Sequence, residues 1–227
     1  MTPKAMVAAF REEAHDNRGT TEEEYLWKTP FLLRALNEAR TEAVRRGRLL
    51  EDFTTPEVCK LTVRAGVDTL TIDPRVIYIR RVKHSLIDRP LAKTYYKDLD
   101  EFHPGWESYD DDEPRTWVPW GDHKIRLVPT PDADATINLV VVREPLADVT
   151  IASSEEEVEL EPRYHFRLVN FMCARAYMQR DLIEKYRPEE ARDHMALFDS
   201  MFGEPESAAL EKWNARRHGY DEYEGLR

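Results

Sequence analysis

The chain has 227 residues, 41% hydrophobic and 34% charged, the values of a globular protein with a strongly polar surface and either one substantial core or two small domains. A formal charge of -11 is the opposite of what a free nucleic-acid binder carries. Cys59 and Cys173 are the only cysteines, which excludes a disulfide scaffold and a multi-cysteine zinc site.

The first residues, MTPKAMVAAFREEAHD, are too charged for a signal peptide, and no apolar run approaches membrane-spanning length. A soluble protein made and kept in a reducing compartment is the expectation. The charge is unevenly spread. Residues 1–50 hold nine basic and eight acidic side chains, whereas residues 51–161 hold 13 basic and 24 acidic. Residues 162–227 are close to balance, with 11 basic and 12 acidic, so the acid excess belongs to the middle of the chain.

The N-terminal part, residues 1–50, reads as helical. Thr2-Pro3 supplies an N-cap and a first-turn proline, and Ala5, Met6, Ala9 and Phe10 line one side up to a stop at Gly19. Thr21 and Glu24 can form a capping box for a short turn through Tyr25 and Leu26. Thr29-Pro30 opens the strongest helix, in which Leu32, Leu33, Leu36, Ala39 and Ala43 recur at helical spacing as far as Gly47. Arg45, Arg46 and Arg48 complement the dipole at its C-terminal end and could pair with an acidic neighbour.

Residues 51–161 form an acidic, β-rich insertion. Strands are predicted at 59–63, 69–72, 76–82, 124–128 and 136–142, each short and alternating or β-branched. Gly66 turns the first pair, and Pro129–Asp134 turns the last. Between Leu99 and Trp106 one helical turn is expected before Pro104-Gly105. The final part, residues 162–227, is helical again: about 163–186 after Pro162, then from Pro188 to about Met201, then from Pro205 to His218. Phe166, Leu168, Val169, Phe171, Met172, Tyr177, Leu182 and Ile183 cover more than one face of the first of these. Such a helix needs neighbours on several sides, from its own chain or from another subunit. The predicted fold class is therefore α+β: a bundle of N- and C-terminal helices with a small antiparallel β-rich region inserted.

Catalytic and metal motifs are missing from the sequence. The seven histidines make no compact ligand pair, and Asp110-Asp111-Asp112-Glu113 lacks the loop signature of a calcium hand. No phosphate-binding glycine loop, dinucleotide fingerprint or nucleophile elbow occurs. No catalytic residue, cofactor or metal is assigned. Seven aromatics fall between Tyr95 and Trp120, interleaved with eight acids from Asp98 to Glu113. Trp106, Trp117 and Trp120 either pack a long loop on its sheet or present a protein interface.

Three segments then stand out together: Phe102-His103-Pro104-Gly105-Trp106, Arg115-Thr116-Trp117-Val118-Pro119, and Ile125 through Asp132. With Trp27 and the Leu/Ala/Arg helix before them and Pro162-Arg163-Tyr164-His165 after them, this ordered set resembles the head-to-tail adaptor proteins of tailed bacteriophages over residues 25–185. The resemblance implies a structural virion protein at the head–tail junction, in a ring usually of twelve copies beneath the portal. Its implied partners are other copies of itself, the portal protein and a tail or nozzle protein. Double-stranded DNA would pass through without sequence-specific binding, and no membrane is involved. A neck stopper or tail-completion protein is the alternative, with a host-interaction module or a dispersed-site hydrolase further off. The residues chosen as packing or ring contacts are Leu32, Leu36, Phe166, Phe171 and Tyr177.

Overall fold

A computed structural model describes residues 1–16, 21–181, 183–205 and 207. The predicted stop at Gly19, Leu182 and the predicted helix after Pro205 lie outside the described residues. In chain order the elements begin with α1 (Pro3–Glu13), α2 (Thr29–Gly47), β1 (Glu51–Asp52), α3 (Pro56–Cys59) and β2 (Lys60–Val63). They continue with β3 (Thr69–Thr71), β4 (Val76–His84), β5 (Ala92–Lys93), α4 (Tyr96–Phe102), β6 (Thr116–Pro119), β7 (Lys124–Val128) and β8 (Ala135–Arg143). Then come α5 (His165–Tyr177) and α6 (Pro188–Phe202). The chain forms two compact units: helices with residues 1–50 and 144–205, and sheets with residues 51–143.

In the helical unit α5 packs against α1, α2 and α6. Thr2 caps α1 by accepting the Ala5 N–H on its hydroxyl at 3.2 Å. Thr21 and Glu24 exchange two hydrogen bonds, closing a turn that does not continue as a helix. The helix from Thr29 to Gly47 has the predicted limits, although the left-handed residue that ends it is Arg48, at φ 50°. Met6, Phe10, Trp27, Leu32, Leu36, Leu168 and Phe198 are fully buried and make the centre of this core.

The predicted helix over 163–186 is shorter in the structure. Pro162–Tyr164 form a 3-10 turn, α5 runs from His165 to Tyr177, and Ile183–Lys185 are a separate turn. Its last carbonyls are taken by groups outside the helical ladder. Ala176 accepts from the Trp27 indole at 3.3 Å and from the Gln179 N–H at 3.1 Å, and Tyr177 accepts from the Arg187 N–H at 2.9 Å. The chain therefore reverses, and α6 returns antiparallel to α5. Phe171 meets Phe198 at 4.9 Å between ring centroids, and Tyr164 meets Phe202 at 5.5 Å. The apolar excess of α5 is covered largely by α1, α2 and α6 of the same chain.

Residues 144–161, grouped with the insertion on charge, pack in the helical unit. Asn37 binds the Val149 backbone twice, donating to its carbonyl at 3.0 Å and accepting its N–H at 2.8 Å. Arg40, itself buried, donates to the Ala147 carbonyl at 3.3 Å. Lys4 N–H donates to the Ser154 carbonyl at 3.0 Å, and Val158 and Leu160 are buried. This return segment holds seven acids and no base. Much of the middle's acidity therefore lies on the helical unit.

The sheet unit holds two four-stranded sheets. In the first, β8 is central: β1 and β2 share one of its edges and β4 takes the other, all antiparallel. The second has the order β3-β7-β6-β5, in which β5 runs parallel to β6 and the other pairs are antiparallel. The five predicted strands are present, joined by the two-residue β1 and β5 and by β6. Leu99, Trp106, Val118 and Val128 form a buried cluster against which Trp120 packs.

Candidate functional site

The candidate residues separate by exposure. Leu32, Leu36, Phe171 and Tyr177 are buried within the helical unit. Phe166 is 68% exposed and is the one large apolar side chain of α5 left open among the described residues. Arg45 is exposed. Arg46 is tied down: it pairs with Glu42 at 3.0 Å and with Asp199 at 2.7 Å, and its guanidinium lies 5.1 Å from the Phe198 ring centroid. Arg48 serves as the left-handed end of α2.

Phe166 belongs to a larger surface. Asn170 lies one turn after it on α5, and Leu197 and Met201 lie one and two turns after His194 on α6. Asn170 and His194 are hydrogen-bonded at 3.2 Å, which sets these two rows side by side on the antiparallel pair. Leu197 is 43% and Met201 45% exposed, so the row continues the apolar surface of Phe166. The i, i+4 spacing of Leu197 and Met201 was the available signal in the sequence, which the buried Phe198 and Phe202 beside them masked.

In the sheet unit the tryptophans pack inward. Trp106 and Trp117 are buried, and Trp120 is half-buried with its ring edge-on to Trp106 at 6.4 Å. Trp106 donates its indole N–H to Asp100 at 2.8 Å. Arg126 lies between the two rings, 4.8 Å from Trp106 and 4.9 Å from Trp120, and also pairs with Asp68 and Glu107. The aromatics left at the surface of this region are Tyr96, Phe102 and Tyr109. The acidic run 110–113 is exposed, with Arg115 3.5 Å from Asp112.

Sequence reasoning missed two buried ion pairs. Arg11 donates to Asp16 at 3.1 Å, to the Trp27 carbonyl at 3.2 Å and to Thr29 at 3.1 Å. Its guanidinium also stacks 3.4 Å from the Tyr25 ring centroid, so one side chain joins α1 to the start of α2. Asp52 and Arg143, at the first and last strands of the sheet unit, meet at 2.6 Å. Burial by itself would raise the Asp52 carboxyl. Hydrogen bonds from the Thr55 hydroxyl, Arg143 and the Thr54 and Thr55 N–H groups outweigh it and hold the group far below the carboxylate range. Burial and this carboxylate together push the nearby Cys59 thiol up to about 11, which keeps it protonated and inert. Neither pair could be read from spacing, because the partners are brought together by the chain's path.

Among the described residues no group of three or more His, Cys, Asp or Glu side chains is placed to hold a metal ion. No helix among them is long and apolar enough to cross a membrane. The arrangement offers packed cores and exposed apolar and acidic surfaces. A search of curated proteins finds no match. The family described as SU10 adaptor protein matches residues 1–219. That match spans both units and agrees with the resemblance carried by residues 25–185: the chain belongs to the SU10 adaptor family, the head-to-tail connectors of tailed phages.

Proposed function

We propose that this adaptor meets a neighbouring copy in its ring through the α5–α6 surface of Phe166, Leu197 and Met201. As a family member it is a structural, non-catalytic virion component at the head–tail junction, in an oligomeric ring that contacts portal and tail proteins. The observation that carries the proposal is the exposure of Phe166, the one large apolar side chain of α5 left open among the described residues. A ring subunit presents one patch to the next copy and a different patch to the previous one, so a one-sided apolar row suits such a contact. Leu32, Leu36, Phe171 and Tyr177 act instead by holding the helices that display this row.

The ring number implied by the resemblance is twelve. The DNA path is supported by charge: seven acids without a base over residues 144–161 repel phosphate and favour passage without adhesion.

The test is electron microscopy of the chain mixed with isolated portal rings. The wild type should add a twelvefold layer at the tail-facing end. Phe166→Asp, at an exposed position, should keep the circular dichroism and melting of the wild type and lose the complete layer. A complete layer formed by Phe166→Asp would reject the proposed contact. Binding that requires another neck protein first would place the chain one layer lower, as a stopper.

A further inference from the structure

The first sheet gathers cations on one face. Lys60 of β2, Asn138 of β8 and Lys83 of β4 lie opposite one another in a row across three strands. Arg81 faces Val140, two residues further along β8 and so on the same face. With strands about 4.8 Å apart, the two lysine backbones stand roughly 10 Å from each other across a neutral amide. Lys60, Arg81 and Asn138 are exposed, and Lys83 and Val140 are half-buried. A register shift between Ile79 and Arg81 bulges β4 at this point, and Arg80 there is paired with Glu51 at 3.0 Å. Lys60, Arg81 and Lys83 make no ion pair among the described residues. Yet acids outnumber bases 17 to 13 over residues 51–143, so the separation of charge is set by the fold and not by composition.

We infer that this face receives the loop Tyr109–Glu113 of a neighbouring copy in the ring. That loop carries the complementary charge. Asp110, Asp111 and Glu113 are exposed and make no ion pair among the described residues, while Asp112 has Arg115 at 3.5 Å. Tyr109, 44% exposed, offers a ring to a guanidinium such as that of Arg81. The loop is held in place by its backbone: the Asp112 N–H donates to the Thr130 carbonyl and the Arg115 N–H to the Val128 carbonyl, each at 2.9 Å. It therefore stands beside the end of β7, in the second sheet.

Three unpaired cations on one sheet and three unpaired carboxylates beside the other are two unlike patches of one unit. A contact between unlike patches is the kind that closes a ring of identical copies. Opposite charges also fix register and reject wrong partners. A DNA duplex is the poorer occupant, because the acid excess of the unit repels phosphate. The inference rests on the ring assembly of the family and not on the Phe166 contact.

The test titrates the full chain onto portal rings in low salt, with the preceding neck protein added if the layer needs it, and reads the layer by electron microscopy. Lys60→Glu with Arg81→Glu, and separately Asp110→Lys with Asp111→Lys, should each raise the concentration that completes the layer at least about tenfold, since like charges then face one another. All four positions are exposed, so circular dichroism and melting should match the wild type. The chain carrying all four changes again sets opposite charges against each other, and should assemble within about threefold of the wild-type concentration. A layer completed at the wild-type concentration by either double variant, or no recovery in the chain with four changes, would overturn the inference. Normal assembly of Lys60→Glu with Arg81→Glu together with lost retention of duplex DNA on a filter would overturn it in favour of DNA. Phe166→Asp adds no charge to either patch, so the failure of that contact and the failure of this one are read separately.

Discussion

Asp52→Ala is expected to destabilise the sheet unit by about 3–5 kcal/mol, measured by urea unfolding at pH 7. The Asp52 carboxylate is buried and accepts hydrogen bonds from Arg143, Thr54 and Thr55. Arg143 Nε donates at 2.6 Å and the Thr55 hydroxyl at 2.6 Å, both to Oδ2. The Thr54 N–H at 2.8 Å, the Thr54 hydroxyl at 3.2 Å and the Thr55 N–H at 3.1 Å all donate to Oδ1. Removing the carboxylate takes from the buried Arg143 guanidinium its 2.6 Å ion-pair partner and frees the donors that shape the turn into α3. The pair also joins β1 to the end of β8, so both ends of the unit loosen together.

The same carboxylate sets a pH dependence. Its ionisation in the folded state is held far below that of the unfolded chain, so folding favours the charged form. The stabilisation is complete above about pH 4, the ordinary range of an aspartate, and is lost progressively as the pH falls below it. Unfolding midpoints should drop as the pH falls from about 4 towards about 2 in the wild type, and that part of the drop should vanish in Asp52→Ala. An equal drop in both proteins would show that other carboxylates carry the acid sensitivity.

Trp27→Ala is the second large effect, about 3–5 kcal/mol on the helical unit by thermal or urea unfolding. The indole is fully buried, edge-on to Phe10 at 5.6 Å and tilted on Tyr177 at 5.8 Å. Its N–H also takes the Ala176 carbonyl that ends α5. The substitution opens a cavity between three helices and leaves that carbonyl with fewer donors. Trp27→Phe should recover most of the packing while lacking the donor, and the remaining deficit measures the hydrogen bond at about 1 kcal/mol. If Trp27→Phe were as damaging as Trp27→Ala, shape rather than ring burial would dominate the site.

The structure also separates two kinds of aromatic that the sequence shows alike. Trp106, Trp117 and Trp120 support the sheets, and Tyr96, Phe102 and Tyr109 remain at the surface. All six fall within one acidic stretch, and a linear pattern holds no information on which ring points inward. Phe166 is the reverse case. Its neighbours Leu168 and Val169 are buried, and only the path of α6 determines that Phe166 is left beside Leu197 and Met201.

Local chemistry was enough to determine the start of α1 and the starts and stops of α2 and α6, since a threonine cap, first-turn prolines and spaced leucines act within a few residues, whereas α1 ends at Glu13, ahead of the stop expected at Gly19. The order of helices, sheet and helices was equally legible, and so was the family resemblance over residues 25–185. Tertiary structure alone decided the end of α5, where Trp27 and Arg187 capture carbonyls that a longer helix would have used. It alone decided the pairing of Asp52 with Arg143 across 91 positions and the gathering of Lys60, Arg81 and Lys83 on one face of a sheet. It also relocated charge: the chain's excess of 11 acids looked like a property of the insertion, yet seven acids lie on a return segment held by Asn37 and Arg40 of α2. Composition counts charges along the chain, whereas packing decides which surface carries them.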